Sequence, residues 1–250
     1  MKRRLCSVAF AATLGATAAW LPATASADTV QIGSTLNFPA VPAFSTNLVA
    51  VQNGASSALS THPFKSPANG VVTSWSVRSG DTGALYTLRL LRQAGPTTFL
   101  GVGTSPVAIA VTSTADVVHT SSTSLPIANG DSIGVQENAG HEVPDHFTGN
   151  NADVDAYAPQ FADGTQGSFT GIPGHELLLQ ATVSFCNVPN VHKLKKVNAK
   201  QALASADCGV KVKKKETHKT KFRGKVLKQK VAVGTTGAPG LVVPIVIGTK

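Results

Sequence analysis

The segment HEVPDH, His141 to His146, places two histidines and two carboxylates within six residues. It has the outline of the HExxH zinc site, whose chemistry needs two imidazoles four residues apart on one helical face. Here they are five apart, and Pro144 breaks any helix that would carry them. Downstream, GNNADVDAY supplies Asn151, Asp153 and Asp155, hard oxygen ligands at alternate positions. The closing glutamate of a twelve-residue EF-hand loop would fall where Ala162 stands. The stretch 141–155 therefore reads as an acidic, exposed loop between strands, with a bound calcium ion as the alternative.

Nucleophilic chemistry finds no better footing. The sequence has no GxSxG elbow, no SxxK pair and no cysteine–histidine pair outside the expected disulfide. His62, His119 and His175 stand apart among polar residues and read as surface histidines. Carboxylate pairs that hydrolyse glycosides need not be close in sequence. The acidic residues nevertheless crowd into loops, where they serve as solubilising charge. The sequence predicts a non-enzymatic protein without catalytic residues, cofactor or metal.

The cysteines point to structure rather than reactivity. The chain opens with Lys2, Arg3 and Arg4, an apolar run from Leu5 to Leu21, Pro22, and the small residues Ala25, Ser26 and Ala27. That is the layout of a secretory signal peptide over residues 1–27, cut after Ala27. No later segment is long and apolar enough for a span, so no stable membrane insertion is expected after cleavage. No lipobox cysteine stands at the cut and no sorting signal ends the chain, so attachment to a wall would be non-covalent. Removal of Cys6 leaves Cys186 and Cys208, which read as one disulfide in an oxidising compartment. Closing so short a loop stabilises a fold by roughly 3 kcal/mol.

Charge divides the remainder. Residues 28–185 hold four basic against eleven acidic residues, a net −7. Residues 186–250 hold fifteen lysines and arginines against Asp207 and Glu216, a net +13. Two modules with different partners follow, at 28–185 and 186–250. In the first, short apolar segments alternate with polar residues between Gly, Pro, Asn and Asp clusters. Val71, Thr73, Trp75 and Val77 fall on one face, as do Tyr86, Leu88 and Leu90 opposite Thr87 and Arg89. Ile133 and Val135 follow an Asn129-Gly130-Asp131 turn, and Leu179, Ala181, Val183 and Phe185 share a face. Period two predicts sheets with one buried and one wet face. Two such sheets stack as an antiparallel, jelly-roll-like all-β sandwich.

Beyond Cys186 the period changes. Val188 to Val191 reads as a short strand entry. Ala199, Ala202, Leu203 and Ala206 recur at helical spacing over about 196–206, with Lys195, Lys196 and Lys200 largely on the wet side. Alternating segments VKV and KVLKQKVAV and the closing run LVVPIVIG complete a small α+β unit. Its core is marginal at this size, which suits a staple between the chain ahead of its first strand and the start of the strand after the helix.

Residues 186–250 resemble a PASTA domain. The matching positions are Val188-Pro189-Asn190-Val191, the alanine/leucine helix, Gly224-x-Val226, Gln229 followed by Gly234-Thr235, and Pro239-Gly240 leading into Val242 and Val243. Three positions depart from the pattern: Lys193 stands where the family has Gly, Val231 replaces Pro, and Asp207-Cys208 replaces Gly-Leu. The resemblance implies binding to peptidoglycan or its fragments. A strongly cationic unit also attracts polyanions by charge alone, more weakly as salt rises. Lys193, Lys195, Lys196, Lys200, Lys213, Lys215 and Arg223 are the candidate contacts to peptidoglycan or an anionic wall polymer. Nucleic acid is not the expected partner, because Phe222 is the only aromatic there and offers no stacking platform.

The expected protein is thus secreted or wall-associated. Two other readings remain: a carbohydrate- or protein-binding sandwich with a structural C-terminal unit, and a wall hydrolase with a targeting module. Trp75 would be the sugar platform of the former, though its apolar neighbours favour the core. The opposite charges also allow the sandwich to dock onto the basic unit.

Overall fold

The computed structural model describes residues 28–41, 47–53, 62–149 and 153–250. The expected leader and Asn151 lie outside them. The alternating segments pair into two antiparallel sheets. The first orders β1 (Asp28–Gly33), β13 (Leu179–Asn187), β3 (Gly70–Ser79) and β6 (Val117–Ile127). The second orders β10 (Gln166–Ser168), β5 (Thr98–Ala110), β4 (Leu85–Gln93), β7 (Ser132–Glu137), β2 (Val49–Asn53), β9 (Asp153–Tyr157) and β11 (Thr170–Pro173). A ribbon of β8 (Asp145–Phe147) and β12 (His175–Leu177) accompanies them. Ile32, Val72, Trp75, Tyr86, Leu88, Leu90, Ile133, Leu179 and Val183 share one buried cluster. The all-β sandwich is the observed architecture.

Two strands differ from their alternation. In β3 the register against β6 shifts between Val72 and Ser74. The extra residue of this bulge reverses the face ahead of it. Val72, Trp75 and Val77 are buried, whereas Thr73 is exposed and Val71 only half-buried. In β4, Thr87 and Arg89 were expected in water but are buried, Arg89 to 2% exposure. The segment after β9 folds over this face. Its Phe161 carbonyl and Asp163 carboxylate accept hydrogen bonds from the Arg89 guanidinium at 2.9 and 3.0 Å, and Gln136 accepts a third. Phe99, Phe169, Leu91, Val49 and Val51 form a second apolar cluster with Tyr157 and Phe161. The second sheet therefore has no wholly wet face.

The C-terminal region is a small α+β unit with its own buried cluster of Val188, Val191, Ala199, Leu203, Val226, Val243, Ile245 and Ile247. Helix α1 (Lys196–Ser205) packs over a three-stranded sheet. There β17 (Val242–Thr249) lies between β14 (Gly209–Glu216), which runs parallel to it, and β15 (Val226–Gln229), which runs antiparallel. Val188 to Val191 is not a strand. Pro189 has no N–H to give, and the amides of Val188 and Val191 donate instead to the Thr235 carbonyl and the Gln229 side chain.

The boundary expected between 185 and 186 falls inside a strand. β13 runs past the sandwich until Cys186 and Asn187 pair with β16 (Thr236–Gly237). Cys186 thus sits in the last sandwich strand, not ahead of a new one. Its disulfide to Cys208 spans a Cα–Cα distance of 5.0 Å and joins that strand to the residue preceding β14. Nearby, the Ser184 hydroxyl donates to Asp207 at 2.9 Å, and the Asn187 amide donates to Asp28.

Candidate functional site

One group of cations gathers around an end of the C-terminal sheet. Lys193 amide donates to the Val226 carbonyl, Lys196 amide to Gly224, and Gly224 amide to Gly248. These bonds tie the start of α1 to the 223–226 turn and to the end of β17. Gly224 holds φ 72°, a left-handed turn position that glycine enters without a Cβ clash. At Gly248 an added Cβ would stand 2.5 Å from the Phe222 carbonyl, so only glycine lets the two backbones approach.

The result is a groove of about 360 Å³. Val212, Ile247, Gly248 and Thr249 lie along it, and Lys196, Lys214, Arg223 and Lys250 supply four cations. Helix polarity adds to the field. The first turn of α1 carries no acidic residue and its N-cap, Lys195, makes no side-chain capping bond. Lysines at the positive end of a helix dipole are unfavourable, and a bound anion there relieves that repulsion. None of the fifteen lysines and arginines from 186 onward forms an ion pair among the described residues.

The candidate cations are all exposed, but they do not make one patch. Lys196 and Arg223 line the groove. Lys193 and Lys195 precede the helix, and Lys200 lies on its outer side. Strand alternation sends Lys213 and Lys215 to the opposite face of β14 from Val212 and Lys214. Lys214 and Lys250, which spacing alone did not single out, complete the groove. The parity of β14 relative to Val210 and Val212, both packed on the core, was the signal that picks out Lys214.

Residues 187–249 match the PASTA domain. Comparison with curated proteins and with solved structures gives no match. PASTA domains occur in cell-envelope proteins and bind peptidoglycan-related ligands. The departures from the PASTA pattern now have a physical reading. Lys193 and Asp207 both adopt left-handed backbone, φ 65° and 52°, where glycine would be free of strain. The Asp207 carboxylate is held by Ser184, giving this position a side-chain role that glycine lacks.

The sandwich residues proposed for chemistry are engaged in the fold. Asp145 is fully buried in β8 beside His175, so neither the exposed loop nor the isolated His175 is found. Burial pushes the Asp145 carboxyl up to about 6, against the opposing pull of His175. Asp155 is buried in β9 and accepts a bond from Asn53. His141 meets Asp81 at 3.0 Å, and His146 meets the Pro39 carbonyl at 2.9 Å. His119 contacts the Ser79 carbonyl at 3.2 Å. No three His, Cys, Asp or Glu side chains converge as a metal site among the described residues. A cleft of about 340 Å³ near Asp81, Tyr86, Asp116 and Glu142 has its aspartates already bonded to His141 and Arg78. Trp75, at 1% exposure, is core. No helix of the described residues is long and apolar enough to cross a membrane.

Proposed function

We propose that this is a non-enzymatic, exported envelope protein whose PASTA region holds peptidoglycan through the cationic groove. The observation that carries this reading is a rim of four cations, free of ion pairs among the described residues, around a partly apolar groove in a PASTA-matched region. Arg223 supplies a planar fork suited to the carboxylates of stem peptides. Lys196 and the start of α1 supply compact positive charge beside it. The aliphatic lining accommodates the apolar parts of a sugar–peptide repeat.

The experiment is co-sedimentation of the full chain with purified insoluble peptidoglycan. The parent should pellet at low salt and release as salt rises. A Lys196→Gln/Lys214→Gln/Arg223→Gln variant should lose at least tenfold in affinity with an unchanged melting temperature. A parent that stays wholly in the supernatant at low salt would sink the reading. Clearing of wall substrate in a zymogram would instead favour a hydrolase.

A further inference from the structure

Four lysines that the groove does not use share one sheet face. In β14 the register with β17 is unbroken over eight residue pairs, so alternation is strict. Lys211, Lys213 and Lys215 stand beside Pro244, Val246 and Gly248 on the face turned away from α1. On the other side of β17, Lys228 pairs with Val246 in register. All four lysines are exposed, and no carboxylate forms an ion pair with them among the described residues. Three of them form a straight file, spaced by ~6.6 Å and covering ~13 Å along the strand. An aliphatic strip runs beside the file: Val242 at 53% exposure, with Pro244 and Val246 half-buried.

We propose that this sheet face, open as far as Val246 and bordered at Gly248 by the 217–222 segment, is a second anion-binding surface that uses cations other than those of the groove and takes a linear polymer of phosphodiesters. Three features select that partner. The cations lie in a row along one strand, so they complement a chain with regularly repeated charge rather than one compact anion. They are all lysines. A lysine ammonium is a compact point charge that meets a phosphate oxygen without demanding one bidentate geometry, so a row of them follows a phosphate chain by charge alone. The strip between Lys213 and Lys228 is made of Val and Pro with no aromatic side chain, so it lacks the anchors that seat a protein in a lipid interface. A solvated backbone of sugar or alditol can lie over such a strip while each phosphate meets an ammonium.

This surface and the peptidoglycan groove are tested together. The full chain is titrated onto immobilised long-chain inorganic polyphosphate across a sodium chloride series, and onto insoluble peptidoglycan in parallel. Two variants remove three charges each: Lys211→Gln/Lys213→Gln/Lys215→Gln and Lys196→Gln/Lys214→Gln/Arg223→Gln. The first should weaken polyphosphate binding at least tenfold and flatten its log–log salt dependence by about two, as fewer counter-ions are released. The second should weaken it less than threefold. A Lys→Arg triple at 211, 213 and 215 keeps the charge and should stay within threefold of the parent, which separates charge from folding. Equal losses in the two Gln variants would show that net charge alone drives binding and would overturn the proposal. So would file-dependent binding to phosphatidylglycerol vesicles without binding to polyphosphate, which assigns the face to a membrane surface. A chain that binds polyphosphate through the file but never pellets with peptidoglycan would overturn the groove reading and leave this one standing.

Discussion

In the sandwich, Arg78, Arg89 and Arg92 each lie against an aspartate of the same module; among the described residues no cation from 186 onward does. The first region uses positive charge to close its own structure. Arg89 is the clearest case, held by three acceptors and stacked 5.2 Å from the Phe161 ring centroid. The second region keeps its charge in water, and two residues that could neutralise it, Asp207 and Glu216, are too few. Internal pairing is a stability device, whereas unpaired charge of one sign lowers stability by self-repulsion and raises attraction for an external polyanion. Among the described residues the docking of an acidic sandwich onto the basic unit therefore has no ion pair to rest on; the junction instead shows a strand pairing, a disulfide and two side-chain hydrogen bonds.

The contrast can be broken most sharply at the staple. Cys186→Ser/Cys208→Ser should cost the C-terminal unit about 3 kcal/mol by freeing its loop in the unfolded chain. Amide exchange should then accelerate in α1 and β14 while β4 and β7 remain protected. Uniform acceleration would show that the two regions unfold as one.

Removal of paired charge should hurt more than removal of free charge. Arg89→Ala leaves the Phe161 carbonyl and Gln136 without their buried donor and should cost about 2–3 kcal/mol in denaturant unfolding. Lys213→Gln should change stability by no more than about 0.5 kcal/mol. Equal losses would erase the distinction drawn here.

Acid acts on the sandwich through Asp145. Its folded carboxyl titrates near 6, above the ordinary value of 3.8, because burial disfavours the anion. The folded state then holds its proton more tightly than the unfolded chain. Its stabilising contribution is complete below pH ~4 and is lost as pH rises through ~6. Melting of the parent minus that of Asp145→Asn should therefore fall by a few degrees between pH 4 and pH 7. A flat difference would remove the carboxyl from the account.

A small gain is expected at Lys193. Replacement by Gly relieves a left-handed residue and should stabilise the C-terminal unit by about 0.5–1 kcal/mol. It also removes one free cation, so polyanion affinity should drop slightly as stability rises. A loss of stability would mean that Lys193 makes a contribution its backbone does not reveal.

Local pattern revealed the helix, the sandwich class and the cysteine pair, because each is written in nearby residues: Ala199, Leu203 and Ala206 at helical spacing, alternation in β13, two cysteines left once the expected leader is set aside. It failed where a distant segment decides. Thr87 and Arg89 look wet until the 158–166 segment covers them. Thr73 looks core-facing until a bulge shifts its parity. Lys214 looks like Lys213 and Lys215, yet one residue of strand parity places it in the groove and the others on the reverse face. The groove also needs the terminal Lys250, more than fifty residues from Lys196 in sequence.

The passage of β13 from one module into the next has a mechanical consequence. It is hydrogen-bonded along its length to β1 and β3, and its far end is covalently bolted to Cys208. A tug applied to the cationic end is therefore delivered lengthwise into a strand gripped on both sides. Many bonds must shear at once rather than peel one by one, the geometry of a rivet rather than a zip.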